Sequence, residues 1–134
     1  MRIYRCWTLL LAASLCLTAG CGGRKKLPPP DDTVIRWWRA VAAGDRDGAA
    51  AYVAESARKE SSARLAAYAE VKKCAETGDE LAVRMSKRLE GVRIGEAVSG
   101  AERATVKLVM SDGRPFLTVY LKWRNGRWEI FEFK

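Results

Sequence analysis

The apolar residues of this chain change their period once, at Gly91, and that change restricts the fold more than any single motif. Before it, apolar side chains recur at three and four residues, the spacing of one helix face. Val34, Trp38 and Val41 form a stripe with Ile35 and Ala42 beside it, behind the candidate caps Asp31, Asp32 and Thr33. Gly44 is a stop, and Asp45 caps a short second helix through Ala49, Tyr52 and Val53. A third stretch, Ser56 to Glu76, carries Leu65, Tyr68 and Val71. After Thr77-Gly78-Asp79, the residues Leu81, Met85 and Leu89 mark either a fourth helix or a kinked continuation of the third.

Beyond Gly91 the period is two, which is the spacing of one strand face. Val92, Ile94 and Val98 share a register that also holds Glu96. Ala104, Val106, Leu108 and Met110 alternate with Thr105, Lys107 and Val109. After the turn signal Ser111-Asp112-Gly113 come Leu117, Val119, Leu121 and Trp123, alternating with Phe116, Thr118, Tyr120 and Lys122. Asn125-Gly126 predicts a tight hairpin, because both positions accept positive φ. Trp128 and Ile130 begin a last strand whose alternation slips at Ile130-Phe131, so a bulge or burial of both faces is expected there. Helices followed by a strand meander predict an α+β domain, with the helices on one face of an antiparallel sheet of about four strands.

The first 20 residues read as an address. Arg2 and Arg5 precede Trp7 to Leu17, an apolar run far shorter than the roughly 20 residues of a membrane-spanning helix. Leu17-Thr18-Ala19-Gly20-Cys21 resembles the lipobox of bacterial lipoproteins. That resemblance implies cleavage between Gly20 and Cys21 and transfer of a diacylglyceryl group, palmitate among its acyl chains, to the Cys21 thiol. Two or more chains hold a protein stably at a membrane. The residue after the cysteine is Gly22 rather than aspartate, which implies the periplasmic face of the outer membrane if the host is Gram-negative. Residues 21–32 then predict a tether, loose at Gly22-Gly23, basic at Arg24-Lys25-Lys26 and stiff at the three prolines that follow Leu27. The single α+β domain is expected over residues 33–134.

Chemistry is harder to find. With no histidine, neither a Ser-His nor a Cys-His pair can be built, nor a His-ligated metal site. Cys6, Cys16 and Cys21 all fall in the first 21 residues, which leaves Cys74 without an internal disulfide partner once the address is removed and Cys21 is lipidated. No catalytic residue, metal or cofactor is expected. The formal charge of +8 would suit nucleic acid, but the address argues against it. An envelope protein or an anionic glycan or headgroup is the better partner. Lys122, Arg124 and Arg127 bracket the hairpin turn as a basic tip that could make such a contact or simply be solvated. In Arg36-Trp37-Trp38-Arg39, Trp38 lies on the stripe and Trp37 on its flank; core or core-edge positions are expected for both, with a surface or ligand role for Trp37 left open. Trp128 is expected in the core.

The segments Val34 to Val53, with its Gly-Asp helix break, and Tyr120 to Ile130, ending Gly-x-Trp-x-Ile, resemble the nuclear-transport-factor-2-like superfamily. The closest likeness is to its bacterial lipoproteins of unknown function. The resemblance implies a cone in which helices pack on a curved sheet. Enzymes occur on that fold with acids, tyrosines or histidines inside the cone, but fold alone does not carry activity. Glu96 and Tyr120 are the candidates for an inward pocket, against the plainer readings of an exposed strand-end glutamate and an ordinary sheet residue. The first expectation is a non-enzymatic binding or accessory domain, monomeric or weakly dimeric. The alternative is a small-molecule-binding or enzymatic cone with an apolar pocket between helices and sheet.

Overall fold

The computed structural model describes residues 27–134; the boundary at Gly20 and Cys21 lies outside them. Helices α1 (Asp31–Ala42) and α2 (Arg46–Ala50), a 3-10 turn (Glu55–Ala57), α3 (Arg58–Glu76) and α4 (Glu80–Glu90) come first. Strands β1 (Arg93–Ser99), β2 (Arg103–Val109), β3 (Pro115–Arg124) and β4 (Arg127–Phe133) follow. The sheet is an antiparallel meander in the order β1-β2-β3-β4. The α+β architecture expected from the change of period is the one observed.

Local chemistry sets the joints. The Asp45 side chain accepts from Gly48 N at 2.9 Å, capping α2. Asp79 accepts from Leu81 N and Ala82 N, so α4 starts afresh and is a separate helix. The helix start expected near Thr33 lies earlier: α1 begins at Asp31, and Asp31 and Asp32 occupy its first turn, where their charge suits the dipole. Leu27 packs against the core and Pro30 is fully buried, so the last part of the expected tether belongs to the domain. Asn125 (φ 52°) and Gly126 (φ 75°) form the left-handed turn that joins β3 to β4.

The core lies between α1 and the sheet. Val34, Trp37 and Val41 of α1 meet Val106, Leu108, Val119, Leu121, Trp128 and Ile130. Trp37 is 0% exposed, more deeply buried than Trp38 on the stripe itself. α1 is covered on two sides, by the sheet and by α3. There Trp37 stacks on Phe133 at 4.8 Å and donates its indole N–H to Ser61 Oγ at 2.9 Å.

Bulges bend the sheet at three places. On β4, Ile130 faces Leu121 and Glu132 faces Tyr120, leaving Phe131 as the extra residue where the alternation slipped. On β3, Leu117 faces Leu108 and Pro115 faces Val109, which frees Phe116 to turn toward α1. On β1 the bulge falls at Gly95, where an added Cβ would meet Val109 Cγ1 at 2.8 Å. Past it the faces exchange. Ala97 takes the rung of buried Val106, while Glu96 and Val98 turn outward. The shared inward register of Val92, Ile94, Glu96 and Val98 is therefore corrected after Ile94.

Candidate functional site

At the end of the cone formed by the β2–β3 turn and α4 lies an apolar cleft of about 260 Å³. Trp38 and Phe116 meet edge to face at 5.1 Å across its floor, and Trp38 meets Tyr68 in the same way at 5.4 Å. Val71 and Ala67 of α3 and Met85 and Leu89 of α4 complete the walls. Arg64 also lines it; its guanidinium bonds Glu60 at 3.2 Å and lies over the Phe133 ring, while its Nε is buried without a hydrogen-bond partner among the described residues. Burial, with a smaller effect of Glu90, pushes the Tyr68 hydroxyl pKa up and keeps it neutral.

The apolar surface continues past the cleft. Of the stripe Leu81, Met85 and Leu89, only Leu89 is buried; Met85 is 37% exposed and Leu81 76%. The last turn of α4 is held to the sheet by Arg88, whose carbonyl accepts from Ser111 N and whose guanidinium pairs with Asp112 at 3.3 Å. Its start follows α3 directly, with Asp79 N donating to the Cys74 carbonyl, and the two helices pack on each other.

The opposite end carries the incoming chain. Pro28 and Pro29 share a broad cleft with Trp123, Gly126, Arg127 and Trp128. Trp128 donates its indole N–H to the Pro28 carbonyl at 2.6 Å and meets Trp123 edge to face at 5.4 Å. Arg124 and Arg127 stand opposite each other across the hairpin, and Arg103 stands opposite Lys122. Arg127 is not a loose tip residue. It donates to the Ala51 carbonyl at 2.8 Å and pairs with Glu129 at 3.5 Å. Lys122 lies over the Phe131 ring at 4.3 Å. Arg124 makes no ion pair among the described residues and borders a second open cleft with Arg58 and Glu129.

The pair proposed for an inward pocket does not form one. The Gly95 bulge places Glu96 on the outer face, 60% exposed and ion-paired with Lys107 at 3.4 Å. Tyr120 also faces outward, because Leu117, Val119 and Leu121 take the inward alternation; it meets Phe131 at 6.5 Å and Lys134 lies over its ring. Strand β2 separates the two residues. Cys74 is partly buried on the distal part of α3, 3.7 Å from Glu70. Burial first, and then the Glu70 carboxylate, push its thiol pKa up. Among the described residues no group of three or more Cys, Asp or Glu is placed to hold a metal ion, and no helix is long and apolar enough to cross a membrane.

Tyr68, Val71, Met85 and Leu89 are legible in the sequence as helix positions but not as one cleft, and Leu81 lies outside it. The cleft's missing partner was Phe116, whose inward turn depends on a bulge.

No family model matches the chain, and no curated protein matches it. Among solved structures it is similar to a Campylobacter jejuni protein named as an NTF2-like transpeptidase, where NTF2 is nuclear transport factor 2. The likeness covers 77% of this chain and 97% of that one at 15% identity, with a TM-score of 0.54. At that identity it establishes the fold: four helices packed on an open four-stranded antiparallel sheet in the NTF2-like cone arrangement.

Proposed function

We propose that this is a lipid-anchored envelope protein whose cone domain binds a partner instead of catalysing a reaction, with the cleft of Trp38, Tyr68, Val71, Met85, Leu89 and Phe116 as its binding site. The carrying observation is that cleft and the exposed Leu81–Met85 stripe running out of it. A cleft of about 260 Å³ lies just below the roughly 300–1,000 Å³ range of small-molecule pockets. It suits one or two apolar side chains of a polypeptide, with the Leu81 stripe supporting the rest of that segment.

The filled interior supports the same reading. Where an enzymatic cone would need space and an inward acid, Trp37, Val41, Val106 and Leu121 fill the core and Glu96 points away. The neighbour's name invokes acyl transfer, which calls for an activated nucleophile. Cys74 is the one cysteine among the described residues, and its thiol is shifted away from the thiolate. The lipid anchor rests on Cys21 and the small residues before it.

A photo-crosslinking residue at Met85 of the full chain, in intact cells, tests the binding site. A discrete polypeptide adduct that disappears when Val71→Lys fills the cleft is expected. An adduct unaffected by Val71→Lys, or none in an envelope where the same residue at other exposed positions does crosslink, contradicts it. Metabolic labelling with a fatty-acid analogue tests the anchor: label on the wild type and none on Cys21→Ser is expected, and equal label contradicts it.

A further inference from the structure

We infer that the hairpin end of the domain is a docking surface for an anionic lipid bilayer, seated there by the clamp between Pro28 and Trp128. The inference rests on the Cys21 anchor and adds an orientation to it. The first argument is reach. Pro28 is fixed to the hairpin by the Trp128 indole, and Pro30 is buried behind it. Only residues 22–26 separate Cys21 from Leu27, so the six steps between them extend at most about 20 Å. A chain lipidated at Cys21 thus keeps the Asn125-Gly126 turn close to the headgroups. Buried Pro30 and the Pro28–Trp128 bond also keep the domain from releasing more tether.

The second argument is charge. Arg103 stands opposite Lys122 and Arg124 opposite Arg127. Like charges directly opposite across strands repel, so two such rungs are a cost to the sheet that an anionic surface would remove. Glu129, directly opposite Lys122 on β4 and ion-paired with Arg127, offsets part of both rungs, and Glu102 in the adjoining turn is a second acid. Arg103 and Arg124 make no ion pair among the described residues. Arg24, Lys25 and Lys26 add positive charge just before the clamp. The opposite, apolar end then faces away from the bilayer, toward whatever the cleft binds.

The test uses the full chain, lipidated in cells and reconstituted into vesicles, with Cys74→Ser and one fluorophore on either Ala101→Cys, in the turn beside the hairpin, or Glu76→Cys, at the far end. The mass of the N-terminal peptide reads the anchor separately. A headgroup-bound quencher in phosphatidylcholine–phosphatidylglycerol vesicles should quench Ala101→Cys far more than Glu76→Cys. Each basic side chain near an anionic surface contributes about fivefold in occupancy, so Arg103→Glu with Arg124→Glu should remove most of that difference. Pure phosphatidylcholine should reduce it as well. With lipid present on Cys21, equal quenching at both positions, or a difference indifferent to lipid charge and to the arginine changes, overturns the docking surface. Absence of lipid on Cys21 overturns the anchor reading instead, and the orientation with it.

Discussion

At the end of the cone where the chain enters, Pro28 and Pro29 line one cleft with Trp123 and Trp128, and the Trp128 N–H has its acceptor in the Pro28 carbonyl. At the other end, Trp38, Tyr68 and Phe116 form a comparable aromatic floor, but Met85 and Leu81 lead from it into solvent. The protein ties one aromatic surface to its own incoming chain and leaves the other without such a segment among the described residues. Exposed apolar stripes that continue a formed cleft mark interaction sites more often than scattered apolar residues do. On the proposed reading, the first end serves attachment and the second recognition.

The largest effect should come from the core that both ends share. Trp37→Ala removes the fully buried ring and leaves Ser61 Oγ without its donor, which should cost about 3–5 kcal/mol. Denaturant unfolding followed by circular dichroism should show one transition moved for the whole domain. Loss of one end alone would mean that the ends fold separately and the comparison is of two units.

Trp128→Phe is narrower, since it keeps most of the ring but deletes the N–H that holds Pro28. A loss of about 1 kcal/mol is expected. Proteolysis should begin to cut near Pro28–Pro30 while the sheet stays resistant. Arg127→Gln should have a similar or smaller effect by releasing Ala51 and Glu129. Neutralising Arg124, which makes no ion pair among the described residues, should leave stability nearly unchanged.

At the recognition end, Leu81→Gln should change the unfolding free energy by no more than about 0.5 kcal/mol, because that side chain is largely in water already, and adding Met85→Gln, 37% exposed, should cost about 1 kcal/mol more. The Met85 crosslink of a single Leu81→Gln chain should nevertheless weaken. A large stability loss in the double variant would mean that the stripe is already covered. Smallest of all is the effect at Cys74. Its raised pKa keeps the thiol protonated at neutral pH, so alkylation should be slower than for free cysteine and increase only as pH rises above the ordinary thiol range. Glu70→Gln removes a carboxylate that opposes the thiolate and should bring that increase to lower pH.

Much of the fold was legible because it rests on periodicity and turn chemistry. The Gly44-Asp45 break, the Asn125-Gly126 hairpin and the slip at Phe131 each have a local cause. The sites were less legible because bulges decided them. One extra residue at Gly95 turned Glu96 outward, and one at Phe116 turned that ring inward. An isolated glycine within a strand is the one available signal for the first. Nothing local in Pro115-Phe116-Leu117 announced the second. The tether boundary was misplaced for a different reason: prolines read as spacer when their long-range partner, Trp128, is one hundred residues away.

Native-state hydrogen exchange on the purified full-length chain tests the central contrast most directly. Amides of α4 before its last turn and of the distal part of α3 rest on few buried side chains, so they should exchange through local opening at much lower free energy than those of β2, β3 and β4. Amides beside the Pro28–Trp128 clamp should be protected with the sheet. Helix α4 exchanging only through global unfolding would show that the apolar end is complete without a partner, and would contradict the assignment of recognition to it.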